Sequence, residues 1–224
     1  MSTMGEVKCT CPFCKEKFKY MAQLSYSIFG QNLDFKPFGA AIIPTPIPKC
    51  PKCNIVFLEK LFTKKDITAL KYALEKDNIF EKEPDIPNYY YLAKEFELLG
   101  KNIDDILYYY SCAIWEDYNF KYFKHITTLF FEHIKKADNK NKNYYIYRLI
   151  ELDYLRRLKK FDNAKKLILD LVEEKSFPEE YIPVLDKQHD LFKMKDTGEH
   201  EIPKLIKKEE KKKHEKKRKK FLRR

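Results

Sequence analysis

The sequence predicts a mainly α fold with a small β module at its N-terminus. After Thr63, apolar residues recur at helical spacing in several segments, whereas before it short alternating or apolar runs stand among prolines. Of the 224 residues, 44% are hydrophobic and 15% aromatic, which is enough for a packed core. The five glycines argue against a glycine-rich nucleotide loop and against an all-β fold built on many turns.

Two Cys-x-x-Cys motifs, CPFC and CPKC, mark the N-terminal module, and each places a proline directly after its first cysteine. That spacing allows a tight turn to bring two thiolates to one ion, and two such turns complete the tetrahedral four-thiolate site that Zn²⁺ favours. No coordination position is left for water or substrate, so the predicted ion is structural and no catalytic residue is predicted. The predicted ligands are Cys11, Cys14, Cys50 and Cys53.

Other cysteine chemistry stays open at this point. A thioredoxin-like redox pair needs one such motif on a βαβ scaffold, and an iron–sulfur cluster also takes four thiolates. Cys9 lies too close to Cys11 for the usual ligand spacing, so we expect that it does not bind the metal. The alternative is that it competes with the other cysteines as a ligand. Cys112 lies in a helical pattern, which indicates a small buried apolar side chain.

Six lysines flank the two motifs and admit two interpretations. Four thiolates on one Zn²⁺ leave a net negative charge, which the lysines would offset. Alternatively, they form a surface that contacts phosphate groups. These lysines are Lys8, Lys15, Lys17, Lys19, Lys49 and Lys52.

The module around the motifs is predicted to consist of short strands and an extended connector. Residues 18–21 alternate loosely and residues 55–58 form a short apolar run, so both are predicted strands. Between them, segment 35–50 carries four prolines, which exclude a helix and a central strand. We expect it to lead, extended, into the second motif.

Helical spacing starts at Thr63, which forms a candidate capping box with Asp66 and precedes Ile67, Leu70 and Leu74 on one face. A proline-containing linker, EKEPDIPN, follows. Further helices are predicted from Asn88 to Leu99, where Gly100 ends the helix, over 103–113, 122–134, 152–158 and 161–171, and from Ser176 and Glu179 to about Met194.

The helix pair at 89–113 resembles a tetratricopeptide helix–turn–helix, with large, small and aromatic residues at the expected offsets. A partial second copy follows 59 residues later instead of about 34, so the predicted array is irregular. The last helix is expected to cover the open end of the stack.

CPFC and CPKC, followed by a helical body that contains YYYLAKEFELLG, resemble the bacterial proteins grouped as domain of unknown function 2225. The resemblance covers roughly residues 7–195. It implies a zinc-ribbon-like module on helical repeats with no established activity, and it assigns the metal-binding pattern to the same four cysteines.

The charge is concentrated in the last 21 residues. The segment 204–224 holds 13 basic and three acidic residues out of a net charge of +11, so the rest of the chain is close to neutral. Such a tail is usually solvated, and it also binds nucleic acid or other polyanions without sequence preference. The start of the chain lacks the apolar stretch of a secretory signal, and no apolar run reaches about 18 residues, so we expect a cytoplasmic protein without a transmembrane segment.

The complete prediction is an irregular tetratricopeptide-like helical array with a small N-terminal β zinc-ribbon-like module. The predicted domains are a zinc-ribbon-like module at 1–62, a helix and linker at 63–87, a helical domain at 88–198 and a basic tail at 199–224. The expected role is a non-enzymatic, zinc-binding adaptor for a protein partner. The alternative is a nucleic-acid- or ribosome-associated protein that uses the zinc module and the tail.

Overall fold

The computed structural model describes residues 2–40, 42–58, 61–76 and 85–203. Over these residues the chain forms seven α-helices and four short strands, which confirms the predicted mainly α fold with an N-terminal β module. The predicted basic segment 204–224, the linker residue Pro84 and the side chain of Leu74 lie outside what the structure describes. No helix among the described residues is both long and apolar enough to cross a bilayer.

The strands form two sheets of two strands each: β1 pairs with β2 in antiparallel orientation, and β3 pairs with β4. The strands are β1 Thr3–Thr10, β2 Lys17–Ser25, β3 Ser27–Gln31 and β4 Pro37–Ala40. The helices are α1 Lys64–Lys76, α2 Asn88–Leu98, α3 Ile103–Glu116, α4 Phe123–Ile134, α5 Tyr144–Arg157, α6 Phe161–Glu173 and α7 Ile182–Lys193.

The described residues divide into two compact units. The first lies within Met1–Phe29 and Phe38–Ala137 and contains the cysteine motifs and α1 to α4. The second lies within Gly30–Pro37 and Asp138–Arg224 and contains α5 to α7.

Local signals set the helix boundaries of the first unit. The Thr63 N–H donates to Asp66 Oδ2 at 2.8 Å and the Asp66 N–H donates to Thr63 Oγ1 at 3.2 Å, so the predicted capping box at the start of α1 is confirmed. Gly100 has φ +60°, the left-handed conformation that glycine adopts without steric cost, and it follows the end of α2 as predicted. The Asn102 side chain accepts a hydrogen bond from the backbone N–H two residues on and so caps α3.

Several predicted elements differ from the structure. The helix predicted over 152–158 begins eight residues earlier, as α5 Tyr144–Arg157, and β1 is not among the predicted strands. The predicted strand at 55–58 is only an isolated antiparallel bridge between Lys49 and Val56. The last helix starts at Ile182, after a short 3₁₀ turn at Glu179–Tyr181, and not at Ser176. The Ser176 hydroxyl hydrogen-bonds with the Tyr145 hydroxyl at 2.7 Å and donates to Glu174 Oε1 at 3.2 Å, so its partners lie outside the last helix.

In the second unit, the buried Arg156 of α5 hydrogen-bonds to the segment that follows α7. Arg156 is fully buried and donates to Asp153 Oδ1 at 2.6 Å. It also donates to the backbone carbonyls of Asp196 at 2.6 Å and Gly198 at 2.9 Å. Desolvation by burial raises the pKa of Asp153, although Arg156 and Arg157 favour its ionised form. The guanidinium of Arg156 therefore satisfies a buried carboxyl group and two carbonyls at once.

We expect Arg156→Met to lower the free energy of unfolding by about 3–5 kcal/mol, because it leaves a buried carboxylate and two carbonyls without their donor. Lys193→Met is the control, since its ion pair with Asp190 spans 3.9 Å between largely exposed side chains. That variant should change stability by less than about 0.5 kcal/mol. Urea denaturation of the full chain measures both, and equal effects of the two substitutions would contradict this role of Arg156.

Candidate metal centre

The four cysteines of the two motifs lie together in the first unit. Their ligand atoms all fall within 4.8 Å of one another. Cys11 Sγ lies 3.6 Å from Cys53 Sγ, and Cys14 Sγ lies 3.5 Å from Cys50 Sγ. A disulfide would require about 2.05 Å, whereas four sulfurs at about 2.3 Å from a tetrahedral ion lie about 3.8 Å apart. The spacing therefore fits four ligands of one metal ion and not two disulfides.

The first motif forms a tight turn between β1 and β2. The Lys15 N–H donates to the Cys11 carbonyl at 3.0 Å, and the Cys11 N–H donates to the Glu16 carbonyl at 2.8 Å. Lys15 has φ +64°, a left-handed conformation that is uncommon for a residue with a side chain. The turn thus holds Cys11 and Cys14 on one side of the backbone.

The second motif repeats this geometry. The Asn54 N–H donates to the Cys50 carbonyl at 2.9 Å, and the Cys50 N–H donates to the Ile55 carbonyl at 2.9 Å. Asn54, with φ +57°, occupies the position of the left-handed lysine in the first turn, and asparagine tolerates this conformation well. Each half of the site is therefore the same structure, built by local hydrogen bonds.

Both turns stand at the end of a paired segment. Thr10 and Lys17 are cross-strand partners next to the first turn, and Lys49 and Val56 are partners next to the second. One step further from the sulfurs, Phe18 and Phe57 pack edge to face with ring centroids 6.1 Å apart. The aromatic contact stabilises the approach of the two paired segments to each other.

A column of rings connects the first turn to the helices of the same unit. Phe13, the third residue of CPFC, is buried and packs against Phe62 at 5.8 Å between centroids. Phe62 packs in the same edge-to-face way against Phe96 of α2, again at 5.8 Å, and Phe96 lies 4.8 Å from Tyr109 of α3. A displacement of the metal-site turn would therefore disturb the packing of α2 and α3.

The thiols of the cluster differ in their protonation equilibria. Burial raises the pKa of Cys11 and that of Cys53. Burial also opposes ionisation of Cys14, but the hydrogen bond from the Glu16 N–H and the neighbouring cysteines outweigh it and lower the pKa to about 7. A bound divalent cation would favour the thiolate form of all four and would displace the remaining protons.

Lysines near the turns have partners within the first unit. Lys15 Nζ donates to the Pro12 carbonyl at 2.9 Å, and Lys52 Nζ lies 4.0 Å from a Glu16 carboxylate oxygen. The Lys49 ammonium lies 4.6 Å from the centre of the Tyr91 ring, and burial lowers its pKa. These three lysines bring positive charge close to the cysteine turns.

Cys9 and Cys112 are not members of the cluster. The Cys9 thiol donates to the Phe18 carbonyl at 3.7 Å, on the buried face of the β1–β2 hairpin. Cys112 is fully buried in α3, and desolvation raises its pKa. Cys112 is buried, as predicted, and the Cys9 sulfur lies outside the four-cysteine cluster.

Glu95 is a buried group that the sequence analysis missed. It lies in α2 with no exposed surface, and burial raises its pKa well above the usual range, an effect that the nearby Val56 amide only partly offsets. Because Val56 directly follows the second turn, Glu95 lies where α2 meets the cysteine module. Its acidic side chain in a charged helical stretch resembled a solvent-exposed residue, and no local pattern indicated burial.

Comparisons with protein-family models, with curated proteins and with solved structures give no match for this chain.

We expect the purified chain to carry about one Zn²⁺, and Cys11→Ser and Cys50→Ser each to reduce this content to near zero. Cys9→Ser and Cys112→Ser are matched controls, because neither thiol belongs to the cluster, and both should keep the full zinc content. Elemental analysis of the four variants measures this. Zinc loss in Cys9→Ser, or full retention in Cys50→Ser, would contradict the proposed ligand set.

We expect acidification to release the ion, because Zn²⁺ binds thiolates and protons compete for the same sulfurs. The affinity falls as the pH falls, and release should occur between about pH 6 and pH 4 and reverse on return to neutral pH. A chromogenic zinc indicator follows the release while far-ultraviolet circular dichroism follows the helices. Retention of zinc until the helices have unfolded would count against an acid-labile thiolate site.

Proposed function

We propose that this chain is a cytoplasmic, non-enzymatic interaction protein in which one structural Zn²⁺ organises the N-terminal module. The observation that carries the proposal is the convergence of four cysteine sulfurs, with pairs at 3.5 Å and 3.6 Å, from two matching turns. Zn²⁺ suits such a site because it accepts four thiolates in a tetrahedron and has no redox chemistry. A multi-iron cluster would hold its ligands farther apart, and a redox pair would need only one of the two turns.

Closed coordination supports a structural role for the ion. Catalytic zinc keeps one position for water or substrate, whereas four protein thiolates fill the tetrahedron. Two of the sulfurs, those of Cys11 and Cys50, belong to residues with no exposed surface. The proposed ion therefore stabilises the fold, and the function is binding.

An exposed apolar surface supports a protein partner. The run from Tyr20 to Phe29 contains no charged residue. Within it, Phe29 is 74% and Leu24 62% exposed, and Met21 and Tyr26 are more than half exposed. Apolar and aromatic side chains of this kind are enriched in the centres of protein interfaces.

The helices are the second proposed element of the partner surface. The sequence α2, turn, α3, with α3 packed against α4, is the order expected for a tetratricopeptide-like array. With the two cysteine motifs ahead of it, this order is also what membership of the domain of unknown function 2225 group would produce. Both the array and the membership are parts of this proposal.

A nucleic-acid- or ribosome-associated role is the second candidate function. Lys8, Lys17 and Lys19 have exposed side chains on one hairpin of the cysteine module, which favours this candidate. The 13 basic residues of segment 204–224 would add affinity for phosphate.

Affinity purification of the tagged full chain from its native cells, with mass spectrometry and an absorbance check for nucleic acid, tests the proposed function. We expect a defined protein partner that persists when 204–224 is removed and is lost in the double variant Leu24→Ser, Phe29→Ser. The matched control is Tyr72→Ser, Tyr118→Ser, which removes two similarly exposed residues elsewhere in the unit.

Two results would contradict the adaptor proposal. RNA that co-purifies with the full chain and disappears with the tail, in the absence of a protein partner, favours the second candidate function. Zinc-dependent hydrolytic turnover by the purified chain would overturn the non-enzymatic role.

A further inference from the structure

Three lysines form a row on the outer face of the β1–β2 hairpin. Lys8 is the direct cross-strand partner of Lys19, and Thr10 is the partner of Lys17. All four residues are exposed, whereas the intervening Cys9 and Phe18 turn to the other face. Directly opposed Cβ atoms lie about 5 Å apart, and residues two apart on a strand about 6.7 Å. The three ammonium groups therefore share one small area.

This arrangement costs stability in the free protein. Like charges directly opposed across an antiparallel pair repel each other. One carboxylate offsets part of the charge, since Lys19 Nζ lies 2.7 Å from Glu6 Oε1. Within the part of the chain that the structure describes, neither Lys8 nor Lys17 has a carboxylate at ion-pair distance. Unfavourable local choices of this kind are expected where a ligand supplies the compensating charge.

The row borders an open depression of about 410 Å³. The three lysines and Thr10, which share the exposed face, all belong to its lining. The lining residues are Lys8, Cys9, Thr10, Lys17, Phe18 and Lys19. Lysine and threonine are among the side chains that most often contact phosphate oxygens.

We infer that this lysine row binds the phosphate backbone of a nucleic acid. A nucleic-acid strand presents one anionic phosphate per nucleotide, so a short row of cations meets several of them whatever the base sequence. The inference deepens the second candidate function and rests on the proposed zinc module, because the first cysteine turn joins the two strands that carry the row.

The position of the row favours nucleic acid over a membrane surface. Peripheral membrane binding combines cations with apolar side chains that enter the bilayer beside them. Here Leu24 lies seven residues along β2 from Lys17, which corresponds to roughly 23 Å. Met21 is the one exposed apolar residue of β2 beside the row, two residues from Lys19, and a single methionine offers little apolar area for insertion into a bilayer.

Lysine acetylation read by mass spectrometry on the zinc-loaded full chain tests the inference residue by residue, independently of any binding by the tail. The probe is an oligouridylate of about 20 nucleotides. We expect it to reduce acetylation of the three row lysines several-fold. Acetylation of Lys64, Lys65 and Lys71, exposed lysines of α1, should stay unchanged.

A second measurement uses the triple variant Lys8→Gln, Lys17→Gln, Lys19→Gln. Loss of three phosphate contacts should weaken RNA binding at least about tenfold at about 0.1 M salt and lower the salt slope of the affinity by about 2. The matched control Lys64→Gln, Lys65→Gln, Lys71→Gln removes the same charge and should keep the slope. Zinc content and melting temperature of the row variant should equal or exceed those of the natural chain, because the substitutions relieve repulsion.

Three outcomes would overturn the inference. The first is that RNA leaves the acetylation of the three row lysines unchanged. The second is that the row variant binds RNA with the same salt slope as the natural chain. The third is that anionic phosphatidylglycerol vesicles or polyglutamate protect the row lysines from acetylation as well as RNA does. If one of these occurs while the natural chain carries zinc, the nucleic-acid site fails and the proposed zinc-organised fold stands. If the natural chain carries no zinc and RNA still protects its row lysines from acetylation, the proposed function is contradicted instead.

Discussion

The convergence of four thiolates on one point is the constraint on which the rest of the first unit depends. Two-stranded hairpins are marginal in water because they bury little apolar surface. Both cysteine turns end such short paired segments, and the second has only one bridge, Lys49 with Val56. A metal ion shared between the turns adds binding free energy that the paired segments cannot supply, since the complete ligand set exists only in the folded state.

This constraint reaches the helices through packed side chains. Phe13, inside the first motif, packs against Phe62, and Phe62 packs against Phe96 of α2. On the second hairpin, Lys49 lies over Tyr91 of the same helix. The second half of the cysteine site therefore contacts α2 directly and the first half through Phe62, and α2 in turn packs on α3. The module and the first helices form one packed unit, so a loss of order at the sulfurs would propagate into α2.

The elements that the sequence predicted are those governed by local chemistry. The turn of CPFC is set by hydrogen bonds within six residues, and the start of α1 by Thr63 and Asp66. The convergence of two distant motifs was predictable only because thiolates share a known preference for one ion. Helical spacing predicted α2 and α3 where they occur, since helical periodicity is a local property, but it began the helix of the second copy at 152 instead of at Tyr144.

Features that depend on distant partners were not predictable. Ser176 fits the sequence pattern of a helix cap, but its hydroxyl is hydrogen-bonded to the hydroxyl of Tyr145, 31 residues away. The burial of Glu95 and Arg156 follows from which segments fold over them, and a single sequence carries no signal for that. The lysine row required the register of β1 against β2, which decides whether Lys8 faces Lys19 or a neighbour.

Hydrogen exchange of the full chain, measured by mass spectrometry with and without a zinc chelator, shows whether a bound metal ion orders the cysteine module. We expect removal of the ion to abolish protection in β1, β2 and residues 47–57 and to weaken it in α2, while α5 to α7 keep theirs. Unchanged protection of the two hairpins after complete removal of the metal would contradict this expectation.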